Sequence, residues 1–123
     1  MSTYNDLTPQ QEERIAVLNE ECGETIHMAG KVSRHGLHSS HPDYGHITNR
    51  VNLAREAGHV WAAIELLIKA GDLDLEDVRA GRREKFERWP QFLHGRDNIA
   101  MARRLARGEA DTETELDHVN QGQ

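Results

Sequence analysis

Glu20, Glu21 and Glu24 crowd the stretch "NEECGETIHMAGK", and Glu56 and His59 in "EAGH" repeat the spacing of Glu21 and Glu24. Acidic residues three apart on a helix share one face about a turn long. Both pairs flank the apolar positions of their own segments. If the segments are helices packed antiparallel along those positions, Glu21, Glu24, Glu56 and His59 meet across one seam. Like charges held that close repel one another. A hard divalent cation removes the repulsion, because Mg²⁺ is held by a few carboxylates while it keeps waters and binds phosphate oxygens. Helical bundles build such sites from facing helices. The competing reading is a solvated helix face, since glutamate is a good helix former.

The elements that must position these residues are helical. "LTPQQEERIAVLNEECGETIHMAGKVSR" reads as one long helix with Thr8 as N-cap, Pro9 at the first helical position and Gln11 as capping-box partner. Ile15, Leu18, Cys22, Thr25, Ile26 and Ala29 define its buried stripe by spacing. Glu20, Glu24, His27 and Lys31 form an opposite or flanking row, with Glu21 at the edge of the core. "HGLHSSHPDYGHI" breaks the pattern and predicts a loop longer than most connections, a length that often carries function. A second helix begins near Thr48 or Asn49 and stops at Gly71, its apolar face made by Leu53, Ala57, Val60, Trp61, Ile64, Leu67 and Ile68. A third, capped by Asp74, is ended or kinked by Pro90. A fourth runs from Asp97 to Gly108. Residues 109–123 are polar and acidic without periodicity and predict a disordered tail after a helical domain at 1–108. No internal repeat and no strand pattern stands out.

The chain has 123 residues, one domain's length, with 37% hydrophobic and 5% aromatic content. Such a thin core of Leu, Ile, Val and Ala suits packed helices, and small domains of this kind gain stability by associating. A net charge of −6 argues against a nucleic-acid polymer as partner, because phosphate backbones demand a basic surface. Cys22 is the only cysteine, so no internal disulfide forms, which suits a reducing compartment. No apolar run is long enough to span a membrane, and "MSTYNDLTPQ" lacks a signal pattern. A cytoplasmic protein is expected.

"EECGE" at 20–24 followed by "EAGH" at 56–59 resembles the EExxE and ExxD signature of MazG-like nucleoside triphosphate pyrophosphohydrolases. The intervening "KVSRHG", "HPD" and "TNRVNLARE" are similar to the phage-encoded, MazZ-like branch of that family, and the resemblance spans about residues 12–90. It implies an all-α bundle of four or five helices, oligomeric as a homodimer or homotetramer whose active site a neighbouring chain completes. It implies conversion of a (d)NTP to the (d)NMP and pyrophosphate with two or three Mg²⁺ or Mn²⁺ ions. The branch acts on dGTP or GTP, so a purine is the base it points to. By motif position Glu21, Glu24 and Glu56 are metal ligands, and His59 stands where the family has Asp. Glu20 takes the place of the first motif glutamate, which orients a water or acts as base. An imidazole is neutral and softer than a carboxylate and favours Mn, Zn or Ni over Mg.

Other residues are candidates on chemistry alone. Lys31, Arg34 and Arg50 could meet the β- and γ-phosphates, where cations offset developing charge, or be solvated. Arg82, Arg83 and Lys85 resemble the basic third helix of the family; Arg83 is the one taken as substrate-binding. Asn52 shares a face with Glu56 and suits a ligand or sugar contact. His35, His38, His41 and His46 in the loop could hold zinc, contact phosphate or base, or be structural. Outside the enzyme class, the same sequence reads as a non-catalytic helical metal-binding or interaction protein.

Overall fold

The computed structural model describes residues 4–108; the predicted acidic tail, 109–123, lies outside the described residues. Helix α1, Pro9–His35, begins with the expected reciprocal cap. The Thr8 hydroxyl accepts the Gln11 N–H at 3.1 Å, and the Gln11 side-chain oxygen accepts the Thr8 N–H at 2.9 Å. Gly36, at φ 86, ends the helix in a backbone region that disfavours other residues. Helix α2, Asn49–Lys69, is capped by the Thr48 hydroxyl. Gly71, also at φ 86, turns the chain back so that the Asp72 N–H donates to the Leu67 carbonyl.

Three cross-links set the direction of this hairpin. Arg14 pairs with Asp72, Thr25 hydrogen-bonds to Glu56, and Asn49 hydrogen-bonds to Gly36. Rising numbers on α1 meet falling numbers on α2, so the helices are antiparallel, as the seam requires. The connecting loop holds a 3-10 turn at Pro42–Tyr44 and an isolated antiparallel bridge between Ser40 and Thr48. Among the described residues there is no strand, and no helix is long and apolar enough to cross a membrane.

Residues 4–73 form one compact unit and residues from 74 onward a second. In the second, α3 (Leu75–Arg88) starts at Asp74, whose carboxylate accepts the N–H groups of Glu76 and Asp77. Pro90 ends it in a 3-10 turn, Trp89–Gln91, and α4 spans Arg96–Ala106, starting one residue before the expected Asp97. Phe86 and Trp89 meet edge to face at 5.4 Å, with the Arg82 guanidinium 4.8 Å from the Phe86 ring centre.

The buried stripe of α1 differs from its sequence expectation. Ile26 is 74% exposed, and Ile15 and Ala29 are exposed as well. The covered positions are Leu18, Cys22, Thr25, Met28 and Val32, with Met28 the most buried. One helix covers only a narrow strip of its neighbour, and successive residues sit about 100° apart around the axis. Ile26 therefore turns away from the strip that Thr25 fills. On α2 the seam is centred on Ala63 and Leu67, while Ala57 and Trp61 are exposed. The small Ala63 side chain lets α1 approach closely.

Candidate metal centre

The antiparallel hairpin brings together four side chains that the sequence places on two helices. One ligand atom each from Glu21, Glu24, Glu56 and His59 lies within 4.8 Å of the others. Glu21 and Glu56 are partly covered by the seam; Glu24 and His59 open to solvent. Thr25 fastens the helices beside them, its hydroxyl lying 2.8 Å from the Glu21 carbonyl and 3.2 Å from the Glu56 carbonyl. A β-branched hydroxyl residue in a helix commonly bonds back to its own turn. Here the second carbonyl belongs to the facing helix, so the bond also fixes the register of the seam.

The charge of the cluster is poorly compensated. His59 Nδ1 is 3.3 Å from Glu56 Oε2 and 3.4 Å from Glu21 Oε2. Only the first has hydrogen-bond geometry, and the buried Glu21 Oε2 has no hydrogen-bond partner. Glu56 first, and Glu21 next, hold the Glu24 carboxyl above its usual range by like-charge repulsion. Nδ1 is the ring nitrogen that His59 turns toward both Glu56 and Glu21. Three carboxylate oxygens and one imidazole nitrogen are ligand types that divalent cations accept.

Beside the cluster runs a groove of about 600 Å³ lined by Glu20, Glu24, His27 and Lys31 along α1 and by Asn52 and Glu56 on α2. The α1 row is thus the one expected from spacing, and it flanks the packed strip. Glu20 is exposed in this groove and stands outside the four-residue cluster. Lys31 and Asn52 also line a second cleft, of about 400 Å³, whose walls include Arg34, His35, His41 and Asn49. On the other side of the cluster, Glu21 and His59 border a recess walled by Val17, Ala62, Ala63 and Leu66. Arg83 is an exposed residue of α3 in the second unit.

Three features of the site were not read from the sequence. Asn19 and Gly23 line the groove, Met28 forms part of its floor, and Ser39 and Ser40 shape the loop cleft. Met28 could have been found, because it lies three residues beyond Thr25 on the same face. The serines depend on how the loop folds back, which no periodicity encodes. No family model, curated protein or solved structure matches the chain.

Proposed function

We propose that this chain is a metal-dependent nucleoside triphosphate pyrophosphohydrolase that converts a (d)NTP to the (d)NMP and pyrophosphate. The observation that carries the reading is the meeting of Glu21, Glu24, Glu56 and His59 within 4.8 Å at the edge of an open groove. The EExxE and ExxD-like motifs support it, since Glu21, Glu24 and Glu56 stand at the ligand positions of MazG-like enzymes and His59 at the position of their Asp. The Glu21 oxygen that lacks a hydrogen bond and the raised Glu24 carboxyl both fit a site that binds cations. Bound Mg²⁺ or Mn²⁺, two or three ions in the family, would neutralise the triphosphate and make water a nucleophile at neutral pH.

The chain's own residues have the remaining roles. Glu20, which lines the groove outside the cluster, orients the attacking water and takes its proton. Water attacks the α-phosphorus, the bond to the bridging oxygen breaks, and pyrophosphate leaves. Lys31 and Arg34 offset charge on the leaving phosphates, and Asn52 offers an amide to sugar or phosphate. The resemblance assigns Arg83, on α3, a substrate-binding role as well. A guanine nucleotide is the first substrate to assay, on the strength of the resemblance, and the reaction belongs in the cytoplasm. The active form is a homodimer or homotetramer that completes a MazG-like bundle. Ile26, Val51, Trp61 and Leu66 are 74%, 51%, 49% and 48% exposed, apolar side chains that a second copy would cover.

The test is incubation of the protein with each (d)NTP and Mg²⁺ or Mn²⁺, with pyrophosphate and monophosphate as the expected products. Orthophosphate without pyrophosphate excludes the mechanism. No turnover under either metal favours the non-catalytic metal-binding or interaction protein. His59→Asp should shift the preference from Mn²⁺ toward Mg²⁺; an unchanged preference removes His59 from the ligand set.

A further inference from the structure

The cleft beside the 36–48 loop has a chemistry opposite to that of the cluster. In a chain of net charge −6, none of the ten residues lining it is a carboxylate. Lys31 and Arg34 are fixed cations, and neither has an ion-pair partner among the described residues. His41, whose Nδ1 accepts the Asp43 N–H at 3.1 Å, adds an imidazole to the wall. Asn49 and Asn52 add side-chain amides, and Ser39 a hydroxyl.

The walls are set in advance. The N–H groups of Asn49 and Arg50 donate to the Ser39 and Leu37 carbonyls at 2.8 Å each, tying the loop to the start of α2. The Asn49 side chain donates to the Gly36 carbonyl, and the Ser40 hydroxyl to the Gly45 carbonyl. The Val51 and Asn52 N–H groups are taken by Thr48. With the first-turn donors of α2 engaged, an anion here is held by side chains and not by the helix terminus.

We propose that this cleft is an anion subsite for the leaving pyrophosphate, holding the β- and γ-phosphates independently of any cation. The proposal rests on the hydrolase reading for its substrate and adds the direction in which that substrate lies. Met28, Lys31 and Asn52 wall both the cleft and the groove that contains Glu24 and Glu56, so the two spaces adjoin. Lys31 is seven residues beyond Glu24 on α1, about 10 Å along the axis. The recess on the other side, bordered by Glu21 and His59 and otherwise walled by Val17, Ala62, Ala63 and Leu66, holds no lysine or arginine. The triphosphate therefore runs from the cluster toward the loop, and the freed pyrophosphate stays in the cleft as a product inhibitor.

The test is calorimetric titration of inorganic pyrophosphate into the full chain in excess chelator, without divalent cation. Binding is expected to the wild type and to Glu24→Gln, weakened roughly tenfold or more in the double variant Lys31→Gln, Arg34→Gln, whose fold is checked by circular dichroism. Tripolyphosphate should displace the pyrophosphate and a nucleoside monophosphate should not. Absence of metal-free binding, equal binding by the double variant, or displacement by the monophosphate overturns the subsite. Loss of all (d)NTP turnover with metal-free pyrophosphate binding intact overturns the hydrolase reading instead, so the two failures are distinct.

Discussion

The α1–α2 hairpin carries charge across its seam in two places and treats it in opposite ways. Toward the end away from the loop, Arg14 Nε donates to Asp72 Oδ2 at 2.6 Å, and Gln11 adds a second donor to the same carboxylate. The Asp72 side chain is only 11% exposed, yet its charge is matched, and the hydrogen bonds from Arg14 above all hold its carboxyl below the usual range. At the middle of the same seam, three carboxylates share one imidazole, and Glu24 is held above the usual range. The first arrangement stabilises the folded chain by itself. The second leaves like charges facing one another. On the proposed reading, the difference separates a charge that serves the fold from charges that serve a ligand.

Glu24→Gln and Asp72→Asn separate the two most sharply. The first should lower (d)NTP turnover by at least about 100-fold, more than the loss of a residue that merely orients a ligand. The second should leave turnover near wild type while lowering the melting temperature. Equal effects of both on turnover would erase the distinction. Next in size is the response to cation. Mn²⁺ at about a hundredfold over its Kd should raise wild-type stability by about 3 kcal/mol. Glu24→Gln should lose most of that gain and Asp72→Asn should keep it, read by calorimetric melting.

The hairpin was legible in the sequence because its signals are local. Thr8, Gln11, Thr48, Gly36 and Gly71 act within a few residues of themselves, and the cap and stop chemistry needs no tertiary knowledge. The four ligand candidates were legible for a related reason. Three-residue spacing puts each pair on one face, and an antiparallel hairpin has only one seam for them to share. The Arg14–Asp72 pair was not, since its members are 58 residues apart and each reads as an ordinary surface charge. Ile15 and Ile26 were assigned to the core because helical spacing marks every apolar position alike. Spacing does not say how wide a strip a single neighbour covers. The loop cleft was half legible: its cations and histidines could be named, but their common wall depends on backbone bonds between 36–40 and the start of α2.

Acid should act on the two charge sites in turn. Glu24 binds a proton more readily folded than unfolded, so its cost to stability is present above its raised folded value. That cost fades as pH falls toward the ordinary 4.5. Asp72 binds a proton less readily folded, so its contribution is complete above 3.8 and is lost as pH falls through its lowered value. In metal-free buffer, mild acid should therefore stabilise the wild type relative to Glu24→Gln, and stronger acid should destabilise it relative to Asp72→Asn. Parallel melting curves for all three chains would contradict the assignment. The smallest effect expected is that of Thr25→Val, about 1 kcal/mol for one lost cross-helix hydrogen bond. It should also weaken Mn²⁺ binding, because the register beside the cluster relaxes; weaker folding with unchanged Mn²⁺ affinity would make Thr25 a purely structural contact.

The central claim, that the Glu21, Glu24, Glu56 and His59 cluster directs water to the α-phosphorus, is tested most directly by hydrolysis in heavy-oxygen water with Mn²⁺. Mass spectrometry of the products should find the label in the nucleoside monophosphate and none in the pyrophosphate. Label in pyrophosphate or orthophosphate, or wild-type turnover by Glu24→Gln, would contradict the account.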